Sequence, residues 1–238
     1  MKKIFFILTI LNFMAFNFAV AQSPQSSTEL KSICENLETP VKLKFYTSYG
    51  KLTYDKRYPR KNLTQLGKNM GMFEEGDLAS GLALVDVASE YELSTSSRKM
   101  INNAVCIIPQ ELSVYIGFQN PVIYLAQDLT PDSCLYNLVL RHEQIHQQIN
   151  VNALEYFIPL IYQRVKLLSK QMKPMYVLSV QQIKSGTTEM TAYYAKKINK
   201  LVEEFKEEIL VEQRKLDNRN QYNMESDICR RYEANHKQ

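Results

Sequence analysis

At Thr130 the hydrophobic rhythm of this 238-residue chain changes, and that change constrains its fold more than any other feature. Upstream, apolar residues recur at every second position, as in Val41, Leu43 and Phe45 and again across Leu82–Leu93. Alternation of this kind marks strands with one buried face. Residues 104–108, 112–118 and 122–126 are further short β-rich runs, separated by Pro109, Asn120 and Pro121. The turn pair Tyr49-Gly50 makes residues 41–54 a predicted hairpin. Residues 64–72 read as a short helix, and the polar stretch 22–32 as loose chain.

Downstream the spacing becomes three and four. Thr130-Pro131-Asp132 supplies a capping residue and a first-turn proline. Leu135, Leu138, Ile145, Ile149, Ala153, Phe157 and Leu160 then form a predicted helical stripe that runs toward Lys173-Pro174. A second helix is predicted over 180–216, with Tyr194, Ile198, Leu201, Phe205, Ile209 and Leu216 along one side. The expected fold class is therefore α+β. A β-rich half, 22–129, packs on a C-terminal hairpin of long helices, 130–238, within one composite domain, 22–238.

Residues 1–21 are expected to lie outside that domain. Lys2 and Lys3 precede the apolar run Ile4–Phe18, and Ala19-Val20-Ala21 gives the small-x-small pattern of a cleaved signal peptide. The run is short for a membrane span of roughly 20 residues. An exported chain, periplasmic or secreted, follows, with no stable membrane insertion after cleavage. Removing the two lysines takes the formal charge from +4 to +2, and no dense basic block remains to favour nucleic acid. Cys34, Cys106, Cys134 and Cys229 are an even set in an oxidising compartment. Cys106–Cys134 and Cys34–Cys229 are the favoured pairs. No two cysteines have the close spacing of a cysteine metal site.

The first long helix carries His142-Glu143-Gln144-Ile145-His146. Histidines at i and i+4 stand one turn apart on one helix face and can occupy two corners of a zinc tetrahedron. Glu143, beside them, is placed to act as general base toward an attacking water. Two of the three histidines in the chain lie in this motif. The bland alternative is a helix with two buried, hydrogen-bonded histidines.

A third protein ligand is needed. The extended motif with glycine and a third histidine is excluded, because residues 149 and 152 are Ile149 and Asn152. A carboxylate from a later helix is expected instead, from among Glu155, Glu189, Glu203, Glu204, Glu207, Glu208 and Glu212. If the second helix folds back at Pro174, Glu208 lies opposite the motif, with Glu212 and Glu189 as alternatives. Tyr222 is the candidate hydrogen-bond donor to a developing oxyanion. Asp217 reads as a helix-end residue or as an acceptor orienting a ligand histidine.

Arg141-His142-Glu143-Gln144-Ile145-His146, following the strand-like Pro121–Ala126, resembles a family of bacterial predicted secreted zinc-dependent proteases. In that family a long helix ends in Tyr-Asp-x-x-Thr-x-His-Gly. The comparable stretch here runs from Leu216 to Tyr222: Asp217 matches, while Asn220 and Tyr222 replace the Thr and His. The resemblance implies zinc and a peptide or protein substrate. The expectation is a metallopeptidase, with a substrate strand pairing on residues 122–126 or 112–118. A cell-wall amidase and an inactive envelope binding protein are the alternatives.

Overall fold

The computed structural model describes residues 26–72, 78–217 and 219–235. The proposed signal segment lies outside these residues. The fold is α+β, as the change of period implies. Its elements are α1 (Ser27–Glu35), β1 (Lys42–Tyr46), β2 (Thr53–Asp55), α2 (Arg60–Asn69), β3 (Gly81–Lys99), β4 (Val105–Leu125), α3 (Cys134–Lys170), β5 (Met175–Val177), α4 (Ile183–Leu216) and α5 (Arg219–Asn235). Among the described residues, no helix is long and apolar enough to cross a membrane.

The sheet is organised around β4. Along one side β3 pairs antiparallel with nearly its whole length. Along the other lie β5, β1 and β2 in turn, at residues 105–107, 111–115 and 122–124 of β4. The three short runs expected across 104–126 are thus one strand of 21 residues. Its prolines survive because they fall where the β3–β4 ladder shifts register: Pro109 beside the shift at Ser94/Thr95, Asn120 and Pro121 within the one at Leu84/Asp86. A bulge is where a strand tolerates a residue with no N–H to give. Asn120, with φ 48°, supplies the irregular backbone there.

The hairpin expected over 41–54 does not form. β1 and β2 both run parallel to β4 and do not pair with each other. Between them the chain hugs β4: the Phe118 N–H donates to the Ser48 carbonyl at 2.8 Å. The approach is so close that a Cβ on Gly117 would lie 2.5 Å from that oxygen. The Tyr49-Gly50 turn therefore redirects the chain along the same edge instead of reversing it.

Residues 112–118 and 122–126 were also the expected substrate edge. They belong to β4, which is flanked by β1 or β2 on one side and β3 on the other, so their ladder bonds are taken. Among the described residues the sheet's edges are β3 on one side and the short β5, β1 and β2 on the other, each of which pairs only with β4; β3 is the one long edge strand.

α3 and α4 cover one face of the sheet. Leu112, Val114, Ile116 and Phe118 of β4 meet Leu154, Ile161 and Val165 of α3 and Ile198, Val202, Phe205 and Ile209 of α4. Phe118 and Phe205 stack with centroids 6.3 Å apart, and Phe157 tilts against Phe205 at 5.5 Å. Each such fully buried side chain contributes about 1.5–3 kcal/mol. The α4 stripe matches its expected face. The α3 stripe matches in part: Ala153 and Phe157 pack into the core and His142 and His146 face inward, whereas Leu135, Ile145 and Leu160 are exposed, and the most buried face is the adjoining one, through Tyr136, Val139, His142, Glu143, His146, Asn150 and Leu154.

α3 begins later than expected. Thr130-Pro131-Asp132 is a turn with Asp132 at φ 60°, and Ser133 is the cap, its hydroxyl accepting from the Tyr136 N–H at 3.1 Å. The stretch expected to be loose instead contains α1, capped by Ser26. The cysteines pair as Cys34–Cys106 and Cys134–Cys229, which corrects both favoured pairs. Cys106 is buried in β4 at the end away from the start of α3, so it lies beside α1 and not beside Cys134.

Candidate metal centre

The inward face of α3 is polar in its middle. His142, Glu143, His146, Gln147 and Asn150 are all buried. Burying five polar side chains in one stretch is costly unless each is partnered; the histidines and Asn150 find partners at the far end of α4 and on α5, Gln147 accepts from Asn150, and Glu143 faces the backbone of β3.

Asp217, the residue that ends α4, places Oδ1 at 3.2 Å from His142 Nε2 and 3.0 Å from His146 Nε2. The two Nε2 atoms are 3.0 Å apart. Among the described residues these three side chains form the group that can hold a metal ion. Ligand bonds of 2.0–2.1 Å in a tetrahedral site separate the ligand atoms by roughly 3.3 Å. The observed triangle is close to that size. Two ring nitrogens facing each other at 3.0 Å beside a carboxylate oxygen fit a shared cation better than a hydrogen-bond network, since protons on both would collide.

The outer nitrogens fix which atoms face inward. His142 Nδ1 lies 3.2 Å from Glu225 Oε1 on α5. His146 Nδ1 donates to Gln213 Oε1. Gln213 is oriented by its own amide, which donates to the His146 carbonyl at 3.0 Å and to Asn150 Oδ1 at 2.7 Å. Both outer partners are acceptors, so each Nδ1 carries a proton, and in a metal-bound site each neutral ring would aim its Nε2 lone pair at an ion held between the rings and Asp217. This is the carboxylate–histidine arrangement that orients metal ligands.

Glu143 sits where β3 begins. Burial pushes its carboxyl up to about 7, against the pull of both histidines and a hydrogen bond from the Ala83 backbone. A group poised near neutrality is suited to exchange protons. Burial opposes charge on His142, yet hydrogen bonds to Asp217 and Glu225 and the nearby Glu143 raise it to about 9. His146 is also raised, burial again being outweighed by Asp217. A cavity of about 20 Å³ lies among Met72, Gly81, Leu82, Ala83, Glu143, His146 and Asp217. That is room for a single water.

Gly81 makes the approach of β3 to α3 feasible. A Cβ there would lie 2.6 Å from Glu143 Oε1 and 2.7 Å from Val139 Cγ1. Gly81→Ala is expected to displace the Glu143 carboxylate and to destabilise the fold by about 1–3 kcal/mol. For a chain of this size that is a fall of roughly 3–10 °C in Tm, readable by calorimetry. An unchanged Tm would show that the strand is not pressed against the helix.

Glu208 was expected as third ligand, but it is exposed on α4 and is not part of the group. Glu189 and Glu207 are exposed as well. Glu203, Glu204 and Glu212 pair with Lys206, Arg164 and Lys215, and Glu155 accepts from the Tyr49 hydroxyl. The register differs because the helices are not joined by a tight turn at Pro174. The connection spans residues 171–182 and includes β5, so α4 returns later and brings its C-terminal end to the motif. Tyr222 lies outside the residues whose side chains are described.

Asp217, Gln213, Asn150 and Glu225 were not assigned these parts from sequence. A signal for two of them existed: stepping the buried α4 stripe onward from Phe205 and Ile209 by four reaches Gln213 and Asp217.

Fold and site together define an α+β protein with a helix-borne two-histidine, one-carboxylate cluster. No protein-family model, curated protein or solved structure matches the chain.

Proposed function

We propose that the protein is an exported zinc-dependent hydrolase, and specifically a metallopeptidase of the type its motif resembles. The observation that supports this reading is the triangle of His142 Nε2, His146 Nε2 and Asp217 Oδ1, with Glu143 against the adjoining water-sized cavity. Zinc suits two imidazoles and one carboxylate, and it would acidify a water and polarise a carbonyl.

The chain's own residues then have separate tasks. His142, His146 and Asp217 would hold the ion. Glu143 would take the proton from the attacking water and deliver it to the leaving amine. The close fit of Gly81 and Val139 around its carboxylate confines Glu143 beside the cavity. The outer edge of β3, continuing from the residues that line the cavity, would align an extended substrate by main-chain pairing. Export is supported by the N-terminal pattern of the sequence and by two disulfides.

The test is zinc uptake by purified protein, followed by digestion of a peptide library. Wild type is expected to bind one zinc per chain and to cleave. A protein that takes up no zinc would sink the reading. Zinc without cleavage of any peptide would redirect it to another amide, such as a cell-wall amidase substrate. Uptake also has a pH signature. Metal-free His142 is charged up to about pH 9, and metal ligation requires the neutral ring. Zinc binding at pH 7 should therefore release protons, and affinity should rise with pH until about 9, as followed by calorimetry in buffers of different ionisation enthalpy. Affinity that falls over that range would contradict the assignment.

A further inference from the structure

α5 follows Asp217 and lies on α3. Among its described side chains only Cys229 is a buried apolar residue, while Met224, Ile228 and Tyr232 are exposed. Two links to α3 stand out. Cys229 is bonded to Cys134 at the start of α3. Glu225, one turn earlier on α5, meets His142 Nδ1 at 3.2 Å, with its side chain only 13% exposed. Residues four apart share a helix face, so one face of α5 carries both the crosslink and the carboxylate.

We propose that Glu225 is a positioning residue for His142, and that the Cys134–Cys229 crosslink delivers it, so that this disulfide sets how tightly the site holds its metal. The inference rests on the metal reading above. The crosslink confines α5 one turn from where Glu225 must be. Glu225 then accepts from Nδ1–H, which fixes the ring's orientation and leaves Nε2 aimed at His146 and Asp217. The other disulfide, Cys34–Cys106, ties α1 to the far end of β4 and has no such link to the site.

Zinc affinity, measured by competition with a chromogenic chelator, tests this on the full mature chain. Glu225→Ala should weaken binding by about 10–100-fold, the usual effect of removing a partner of a ligand histidine. Glu225→Gln, which keeps an acceptor oxygen, should lose less. Replacing Cys134 and Cys229 by serine should cost as much as Glu225→Ala. Adding Glu225→Ala to that pair should cost little more, because both act through one contact. Cys34→Ser with Cys106→Ser should lower thermal stability and leave affinity unchanged. A direct readout is the nitrogen-15 spectrum of the zinc-loaded protein, in which the His142 Nδ1 proton should shift or vanish on Glu225→Ala.

Unchanged affinity in Glu225→Ala would overturn the proposal, even where the cysteine variant does not fold. Losses that multiply between Glu225 and the cysteines would overturn the link to the disulfide. If His142→Ala abolishes zinc binding while Glu225→Ala does not, only this inference falls. If wild type binds no zinc, the metal reading falls with it.

Discussion

Glu143→Gln should hold zinc within a few-fold of wild type and hydrolyse peptides about 10²–10⁴-fold more slowly. That is the range expected for loss of a positioned general base, equivalent to roughly 3–5.5 kcal/mol in the barrier. The substitution is nearly isosteric, so the close fit against Gly81 and Val139 is retained. What the amide lacks is the ability to take a proton, which the buried carboxyl, pushed up to about 7, is poised to do. Turnover by the variant at the wild-type rate would remove Glu143 from the proton path.

Asp217→Ala should reduce zinc affinity by more than the ~10–100-fold typical of outer-shell partners. Under the proposed metal reading a direct ligand is removed, and both Nε2 atoms lose the oxygen now 3.0–3.2 Å away. Glu208→Gln should leave affinity unchanged, because that side chain is exposed and outside the cluster. Equilibrium titration of the two variants separates them cleanly. The reverse order of effects would restore Glu208 and dismiss Asp217.

The sequence made the class of fold legible because periodicity reports which face of an element is buried. It located both long helices and the β-rich half. It divided β4 into three, since Pro109 and Pro121 look like breaks until the partner strand shows that each lies at a ladder irregularity. It placed His142 and His146 inward but shifted part of the apolar face of α3, for a reason tied to the site. Where His142, Glu143, His146, Gln147 and Asn150 are buried, the inward stripe is polar, and the hydrophobic pattern drifts onto the neighbouring face. The two histidines were legible because four-residue spacing is local. The third carboxylate was not, because its register depends on the twelve residues that connect α3 and α4, and β5 within them is set by pairing to β4. Glu225 was out of reach altogether, since the direction of α5 depends on which cysteines pair.

The disulfide pattern bears on how the chain reaches this state. The bridged segments, 34–106 and 134–229, follow one another without overlapping. Under the proposed export, with the N-terminus emerging first into an oxidising compartment, the first thiol that Cys34 can meet is its partner Cys106, and the same then holds for Cys134 and Cys229. Pairing in order of emergence needs no reshuffling by an isomerase. The Cys34–Cys106 bridge can lock the sheet half before the segment of α3 to α5 has emerged.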